Sequence, residues 1–463
     1  MKQFFILCLL SILFLPACNQ KEEPIAPNII FLLTDDQRAD ALGVAGNKII
    51  VTPNLDKLAN EGVRFSNAYV TTSICCVSRA SIFSGQFMHR HRIEDFVTSF
   101  SNDAWMETYP ALLKQAGYKT GFIGKFGVGE EKDMPKATFD YWKGFGGQGV
   151  YENKDDEGNF IHLTEKMGNQ AIEFIQNYSG SKAPFCLSVS FKAPHCQDGD
   201  LRQFIFDQNY ANVLDKTTIP EKETNKDEYY KMFPEEWRKD NEARARWEIR
   251  FSTPEKYQEM VKGYYRLIYG VDVVVGRIRS ELEKLGLDKN TVIVFTGDNG
   301  FYLGEHGLAG KWYGHEESIR VPMFVYDPRN PHSGEVLDQM VLNIDIAPTI
   351  LEWAGIEKPA QMQGESLSQI INNKNTDWRT EFFYEHYILK RGNVCIIPGS
   401  EGIVGSDYKY IRYMKEPGKY IYEEMYDRKK DKLEINNLAD NPEYSELKKT
   451  LIQETDDYIR KLR

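Results

Sequence analysis

Residues 28–34 read Asn-Ile-Ile-Phe-Leu-Leu-Thr and run directly into Asp35-Asp36. An apolar run with no polar alternation is the pattern of a strand covered on both faces. A second such run, Thr-Val-Ile-Val-Phe-Thr at 291–296, ends in Gly297-Asp298-Asn299-Gly300. Further strand candidates lie at 119–123, 185–191 and 321–326. Between them fall stretches with helical spacing at 54–61, 107–116, 162–178, 254–284 and 344–354. This alternation predicts an α/β fold with a mostly parallel central sheet flanked by helices. Ligands collect at the carboxyl ends of strands in such sheets. Both acid-containing pairs stand at such ends.

The pattern changes in two places. Residues 197–253 are polar and charge-rich, and predict either a helical excursion over the core rim or a mobile insertion. Beyond residue 376, short β-like runs at 381–388, 408–414 and 420–426 precede a charged helix at 442–462. Asn441 is placed to cap that helix, with Pro442 at its first position. The predicted organisation is an α/β domain over 28–376 and a smaller α+β subdomain over 377–463 carrying an antiparallel sheet. A linker at 18–27 and a leader at 1–17 precede them.

The leader reads MKQFFILCLLSILFLPAC. Lys2 supplies a positive start, and the apolar stretch behind it is too short to span a bilayer. Leu15-Pro16-Ala17-Cys18 resembles the end of a bacterial lipoprotein signal, which implies acylation of Cys18, a membrane anchor, and an address at the outer membrane or cell surface. The following Lys21-Glu22-Glu23 resembles a surface-export tag. Ordinary secretion is the alternative. The 57 Lys and Arg against 68 Asp and Glu give a net charge of −11, which argues against a broad nucleic-acid footprint. A locally basic pocket for a small anion is still allowed. Of the seven Cys, five remain after Cys8 and Cys18, unevenly spaced and with no CxxC pair, so no disulfide framework is implied.

Asp35, Asp36, Asp298 and Asn299 offer hard oxygen ligands suited to Ca²⁺ or Mg²⁺. Read alone, they equally serve as helix caps and turn residues. The adjacent Cys75-Cys76 opens the stretch Ser73-Ile-Cys-Cys-Val-Ser-Arg-Ala-Ser-Ile-Phe-Ser-Gly85. It reads as a Cys at the entrance to a short helix, where the dipole favours an anionic or polar reacting group, or as two small buried residues.

This stretch resembles the signature of the formylglycine-dependent sulfatases: Cys-x-Pro-Ser-Arg, three residues, an apolar residue, Thr or Ser, then Gly. Cys75, Ser78, Arg79, Phe83, Ser84 and Gly85 occupy its positions, and Val77 stands where Pro or Ala is usual. The segments around Lys125, His195 and Lys311, and the C-terminal EEMYDRKKDKLEINNLA, resemble that family in order, over about residues 27–440. The resemblance implies that a separate maturation enzyme oxidises Cys75 to formylglycine. It implies one Ca²⁺, with Mg²⁺ as the alternative, held by Asp35, Asp36, residue 75, Asp298 and Asn299. Arg79, Lys125 and Lys311 would surround the sulfuryl oxygens, Asp298 would help take the nucleophile's proton, and His195 would protonate the leaving sugar oxygen. Gly127 stands where many members carry His. The sequence leaves open whether His306, His315 or water takes over that role.

The implied activity is hydrolysis of sulfate esters on a sulfated oligosaccharide or polysaccharide. Algal glycans such as ulvan, carrageenan or fucoidan, and glycosaminoglycans, all fit. Two alternatives are a phosphomonoesterase or phosphodiesterase of the related alkaline-phosphatase superfamily, and an inactive glycan-binding surface lipoprotein. His386 is a candidate contact from the C-terminal subdomain. In the insertion, Trp237, Arg238, Arg244, Arg246 and Trp247 offer either a hold on an anionic sugar or a salt-laced exposed helix.

Overall fold

A computed structural model describes residues 26–155 and 157–462. The leader and Cys18 lie outside the described residues. The central sheet has eight strands: β1 (Asn28–Asp35), β2 (Val63–Tyr69), β3 (Lys119–Lys125), β4 (Tyr141–Phe145), β5 (Phe185–Pro194), β6 (Thr291–Gly297), β7 (Met323–Tyr326) and β8 (Glu335–Leu342). Their spatial order is β8-β2-β7-β6-β1-β5-β3-β4. Only β7 runs antiparallel to its neighbours. Every residue of β5 and β6 is buried, which is why both read as largely apolar runs, β5 broken only by Ser188, Ser190 and Lys192. The strands β2, β4 and β8 escaped the sequence reading. β4 is only half-buried, and β2 and β8 alternate buried with more open positions, so neither shows a continuous run.

Helices cover both faces: α1 (Pro53–Glu61), α2 (Cys75–Ser84), α3 (Leu163–Tyr178), α4 (Glu242–Arg250), α5 (Pro254–Lys284) and α6 (Ile346–Trp353). One apolar core lies on the α2 and α6 side and another on the α3 and α5 side. α5 begins at Thr253, whose hydroxyl accepts from Lys256 N, with Pro254 at the first position; that is a standard start signal.

The insertion at 197–253 folds onto the rim. Trp237 is fully buried, and Trp247 is 8% exposed. Trp237 stacks on Phe233 at 4.1 Å and against Tyr313 at 4.7 Å. Neither indole face is open to a sugar.

The C-terminal part is a four-stranded antiparallel sheet, β9 (Glu381–His386), β10 (Gly399–Gly405), β11 (Tyr408–Glu416) and β12 (Lys419–Asp427), covered by α7 (Ser445–Leu462). Asn441 caps the single turn Pro442–Tyr444 that leads into α7. This sheet braces the active-site loops of the larger part. Glu385 N donates to Thr71 O at 3.1 Å. Tyr384 OH donates to Trp312 O at 2.7 Å, and Lys409 Nζ to Gly314 O at 2.8 Å. Among the described residues no helix is long and apolar enough to cross a membrane.

Candidate active site

The four central strands β6, β1, β5 and β3 are consecutive and parallel. Their carboxyl ends therefore finish side by side. β6 delivers Asp298 and Asn299, β1 delivers Asp35 and Asp36, β5 delivers His195, and β3 ends on Lys125. Residues 263 positions apart in the chain meet here: Asn299 Nδ2 donates to Asp36 Oδ1 at 2.6 Å. Asp36 N donates to Asp298 Oδ1 at 3.1 Å. Asp36 adopts φ +64° and Trp312 φ +90°. Left-handed conformations in such residues are uncommon and cluster at functional sites.

Cys75 is the first residue of α2. Its thiol donates to Asp35 Oδ1 at 3.3 Å and accepts from Lys311 Nζ at 2.9 Å. α2 is buried along its whole length, so residue 75 is presented by a rigid element. The helix stops at Gly85, which has φ +64°, with its N–H returning to Ser81 O. An L side chain there would be strained and pressed against Met362 and Ile344. Ser78 accepts from Asn343 Nδ2 at 2.9 Å, fixing the first turn of α2 from below.

Three cations interleave with three carboxylates. Arg79 Nε donates to Asp298 Oδ2 at 2.9 Å, its Nη2 lies 3.4 Å from Asp35 Oδ2, and its Nη1 reaches Lys125 O at 2.6 Å and the Ser190 hydroxyl. Lys125 pairs with Asp35 and donates to Gln148 Oε1 at 2.7 Å. Lys311 pairs with Asp36. No member of the cluster is more than 4% exposed.

Burial shapes the electrostatics. It pushes Asp35 up, but Lys125, His195, Arg79 and Lys311 outweigh it and hold that carboxyl well below the usual range. Burial and Asp35 push Asp298 up to about 6. Burial and the Asp35 charge push the Cys75 thiol upward, so it stays protonated and is a poor thiolate nucleophile. Burial lowers His195 to about 3. Its Nδ1 lies 2.5 Å from Cys196 O, an acceptor, and so carries the proton. Nε2 then faces Asp36 Oδ2 at 3.5 Å.

The oxygen donors Asp35, Asp36, Asp298 and Asn299 fit a hard divalent cation. Asp35, Asp36, Cys75 and His195 each bring a ligand atom within 4.8 Å of the others. Asn299 Oδ1 is buried with no hydrogen-bond partner. An orphaned buried amide oxygen is costly, and a cation held beside the three carboxylates would satisfy it.

His306, His315, His386 and Arg244 do not contact this cluster. His306 and His315 stack on each other at 4.4 Å, and His315 Nε2 faces Glu424 at 3.4 Å. His386 is buried in β9, with Nδ1 bonded to Tyr387 O at 2.7 Å. Arg244 is consumed in packing: it lies over Tyr230 and Trp247 and pairs with Asp227 at 2.7 Å. Arg246 instead lies over Trp312, next to Lys311, at 5.1 Å. Sequence reasoning missed Gln148, Ser190 and Tyr151, whose hydroxyl holds His195 O at 2.5 Å. None of them stands in a motif, and only the folded chain brings them to the site.

At Gly127, with φ +76°, an added Cβ would lie 2.5 Å from Arg79 Cδ. The Arg79 stem therefore occupies the space that a side chain at 127 would need.

Comparison with known proteins agrees with this geometry. The Sulfatase family model matches residues 27–356, and the model described as N-sulphoglucosamine sulphohydrolase, C-terminal, matches residues 304–461. The chain is 31% identical to an N-acetylglucosamine-6-O-sulfatase of Bacteroides thetaiotaomicron, over 96% of this chain and 88% of the relative. It is 27% identical to an ulvan-active sulfatase of Formosa agariphila, over 94% and 81%. A solved structure in complex with its substrate D-glucosamine-2-N,6-O-disulfate superimposes with a TM-score of 0.79 at 30% identity, covering 94% of this chain and 98% of that one. The chain belongs to the sulfatase family, the sulfuric ester hydrolases.

Proposed function

We propose that the chain hydrolyses sulfate esters of a sulfated glycan, using Cys75 matured to formylglycine and one bound Ca²⁺. The observation that carries this reading is a buried, protonated Cys75 set between Asp35 and Lys311 at the mouth of α2. As a thiol it is unreactive there, but as a precursor it is ideally placed.

Formylglycine supplies a hydrated aldehyde oxygen as nucleophile. Asp35, Asp36, Asp298 and Asn299 would hold the Ca²⁺, which when bound would supply charge neutralisation. The remaining work falls to the side chains. Arg79, Lys125 and Lys311 hold the sulfuryl oxygens in a dry pocket, where fixed cations act strongly on developing negative charge. Asp298, buried beside residue 75 and held by Arg79, is placed to accept the nucleophile's proton. His195 Nε2 gains proton affinity when an anionic sulfate ester enters beside it, and then protonates the leaving sugar oxygen. Loss of one such donor costs about 10²–10⁴ in rate.

The relatives' names point to the substrate class. One acts on 6-O-sulfated N-acetylglucosamine and another on ulvan, so both sugars are first test substrates, with carrageenan, fucoidan and glycosaminoglycan fragments behind them. The leader and Cys18 support export as a lipoprotein anchored at the outer membrane or cell surface.

The test pairs two measurements on protein made alongside a formylglycine-generating enzyme. Peptide mass spectrometry over residues 65–90 is expected to show Cys75 converted. Free sulfate is expected from at least one sulfated saccharide, and none from Cys75→Ala. An unmodified Cys75 in protein that still releases sulfate sinks the mechanism. Faster release of phosphate than sulfate from matched aryl esters favours a phosphoesterase.

A further inference from the structure

A groove that shares no residue with the catalytic cluster runs between the insertion and β12. It encloses about 740 Å³, within the usual span of small-ligand sites. Its walls are aromatic: Tyr229 and Phe233 from the insertion, and Tyr420, Tyr422 and Tyr426 from β12. Phe233 and Tyr422 meet edge to face at 6.2 Å. Among the described residues no Lys or Arg lines it.

Two lining carboxylates already have counter-ions behind the wall. Glu423 pairs with Lys448, and Glu434 pairs with Lys409 and accepts from Glu316 N at 2.9 Å. Asp440 and Asn437 add a further carboxylate and an amide to the lining. His306 also lines it, 3% exposed, with its Nε2 buried and without a hydrogen-bond partner. Its closest carboxylate, Glu317, is 3.9 Å away. Burial and His315 hold His306 well below the ordinary imidazole range, so it meets a ligand as a neutral group.

An anion would find no cation here, and two of the three lining carboxylates are already paired. Aromatic walls set beside carboxylate and amide oxygens together suit a ligand with apolar C–H faces and hydroxyls. We propose that this groove binds an uncharged, unsulfated saccharide. Naming the ligand a sugar rests on the glycan reading of the catalytic site.

The test uses the full mature chain and an unsulfated N-acetylglucosamine trisaccharide. Its 6-O-sulfated counterpart serves as comparison, with binding followed by calorimetry on Cys75→Ala protein. Saturable binding of the unsulfated sugar is expected, weakened about tenfold by Tyr229→Ala, the loss of one stacked ring. Tyr420→Ala, at a position 43% exposed, serves if the first variant folds poorly. Neither substitution should change sulfate release from a monosaccharide by Cys75-intact enzyme. No saturable binding, binding insensitive to both substitutions, or tighter Tyr229-dependent binding of the sulfated sugar or of a simple amine overturns the assignment. Tyr229-sensitive sugar binding by a protein that never releases sulfate leaves the groove standing and removes the catalytic reading. Sulfate release without sugar binding does the reverse.

Discussion

Gly127 and Arg79 share one volume: the Cβ that Gly127 lacks would sit 2.5 Å from Arg79 Cδ. Arg79 is the side chain that joins Asp298, Asp35 and the backbone of Lys125. Gly127→Ala is expected to push the guanidinium off Asp298. Misplacement of about 1 Å at a catalytic group costs up to about 10² in rate. Steady-state kinetics should show kcat falling about 10–100-fold, with only a small change in melting temperature. Unchanged kcat would mean that Arg79 tolerates the shift.

Asn299 Oδ1 has no partner within the protein, whereas its Nδ2 donates to Asp36 and to Gly300 O. If that oxygen is a cation ligand, Ca²⁺ should raise the melting temperature of the wild type, because it binds the folded chain alone. Asn299→Ala should need at least about tenfold more Ca²⁺ for the same rise, by analogy with the 10–100-fold losses seen around metal sites. Chelation should abolish sulfate release, and added Ca²⁺ should restore it. Equal Ca²⁺ dependence of the two proteins would remove Asn299 from the ligand set.

His386 lies 3% exposed in β9, and burial lowers it from its ordinary 6.5 to about 4. The unfolded chain takes up a proton near 6.5, while the folded chain resists until about 4. The stability tied to neutral His386 is therefore complete above that upper value and is lost as pH falls through the window. The ceiling is roughly 3 kcal/mol. Melting temperatures at pH 7 and pH 5 should fall further for the wild type than for His386→Asn. Parallel curves would contradict a neutral buried imidazole.

Trp237 ties the insertion to both larger parts of the chain, packing on Phe233, on Tyr313 and edge-on against Tyr413. Trp237→Ala opens a cavity under Tyr313, two residues beyond Lys311. A loss of about 3–5 kcal/mol is expected, measured by denaturant unfolding. A loss under about 1 kcal/mol would mean that the insertion is not part of the cooperative core.

The sequence was legible wherever one strand carried its own signal. Residues 28–34 and 291–296 declare themselves as buried strands because both faces are covered. The acid pairs follow because they end those strands. Cys75 and Arg79 were readable because a helix entrance and its first turn are local events, whereas Gly85 was picked out only by the resemblance to the sulfatase signature. β2 and β8 were not readable, since a half-open strand has no apolar run to announce it. The polar stretch at 197–253 left two readings open, and the structure shows the helical excursion over the rim, with its two indoles turned inward.

What the chain determined by itself was a set of local ends: the acid pairs that stop the strands at 28–34 and 291–296, and the residue that starts α2. What only the tertiary structure decided was their convergence. The order β6-β1-β5-β3 sets four strand ends beside one another, and that order depends on crossovers of up to about 260 residues. The same packing sends His306 into a groove wall and puts Arg79 where Gly127 leaves room. Side-chain volume and sheet order act between distant segments, and no local run of residues carries a record of its distant neighbour.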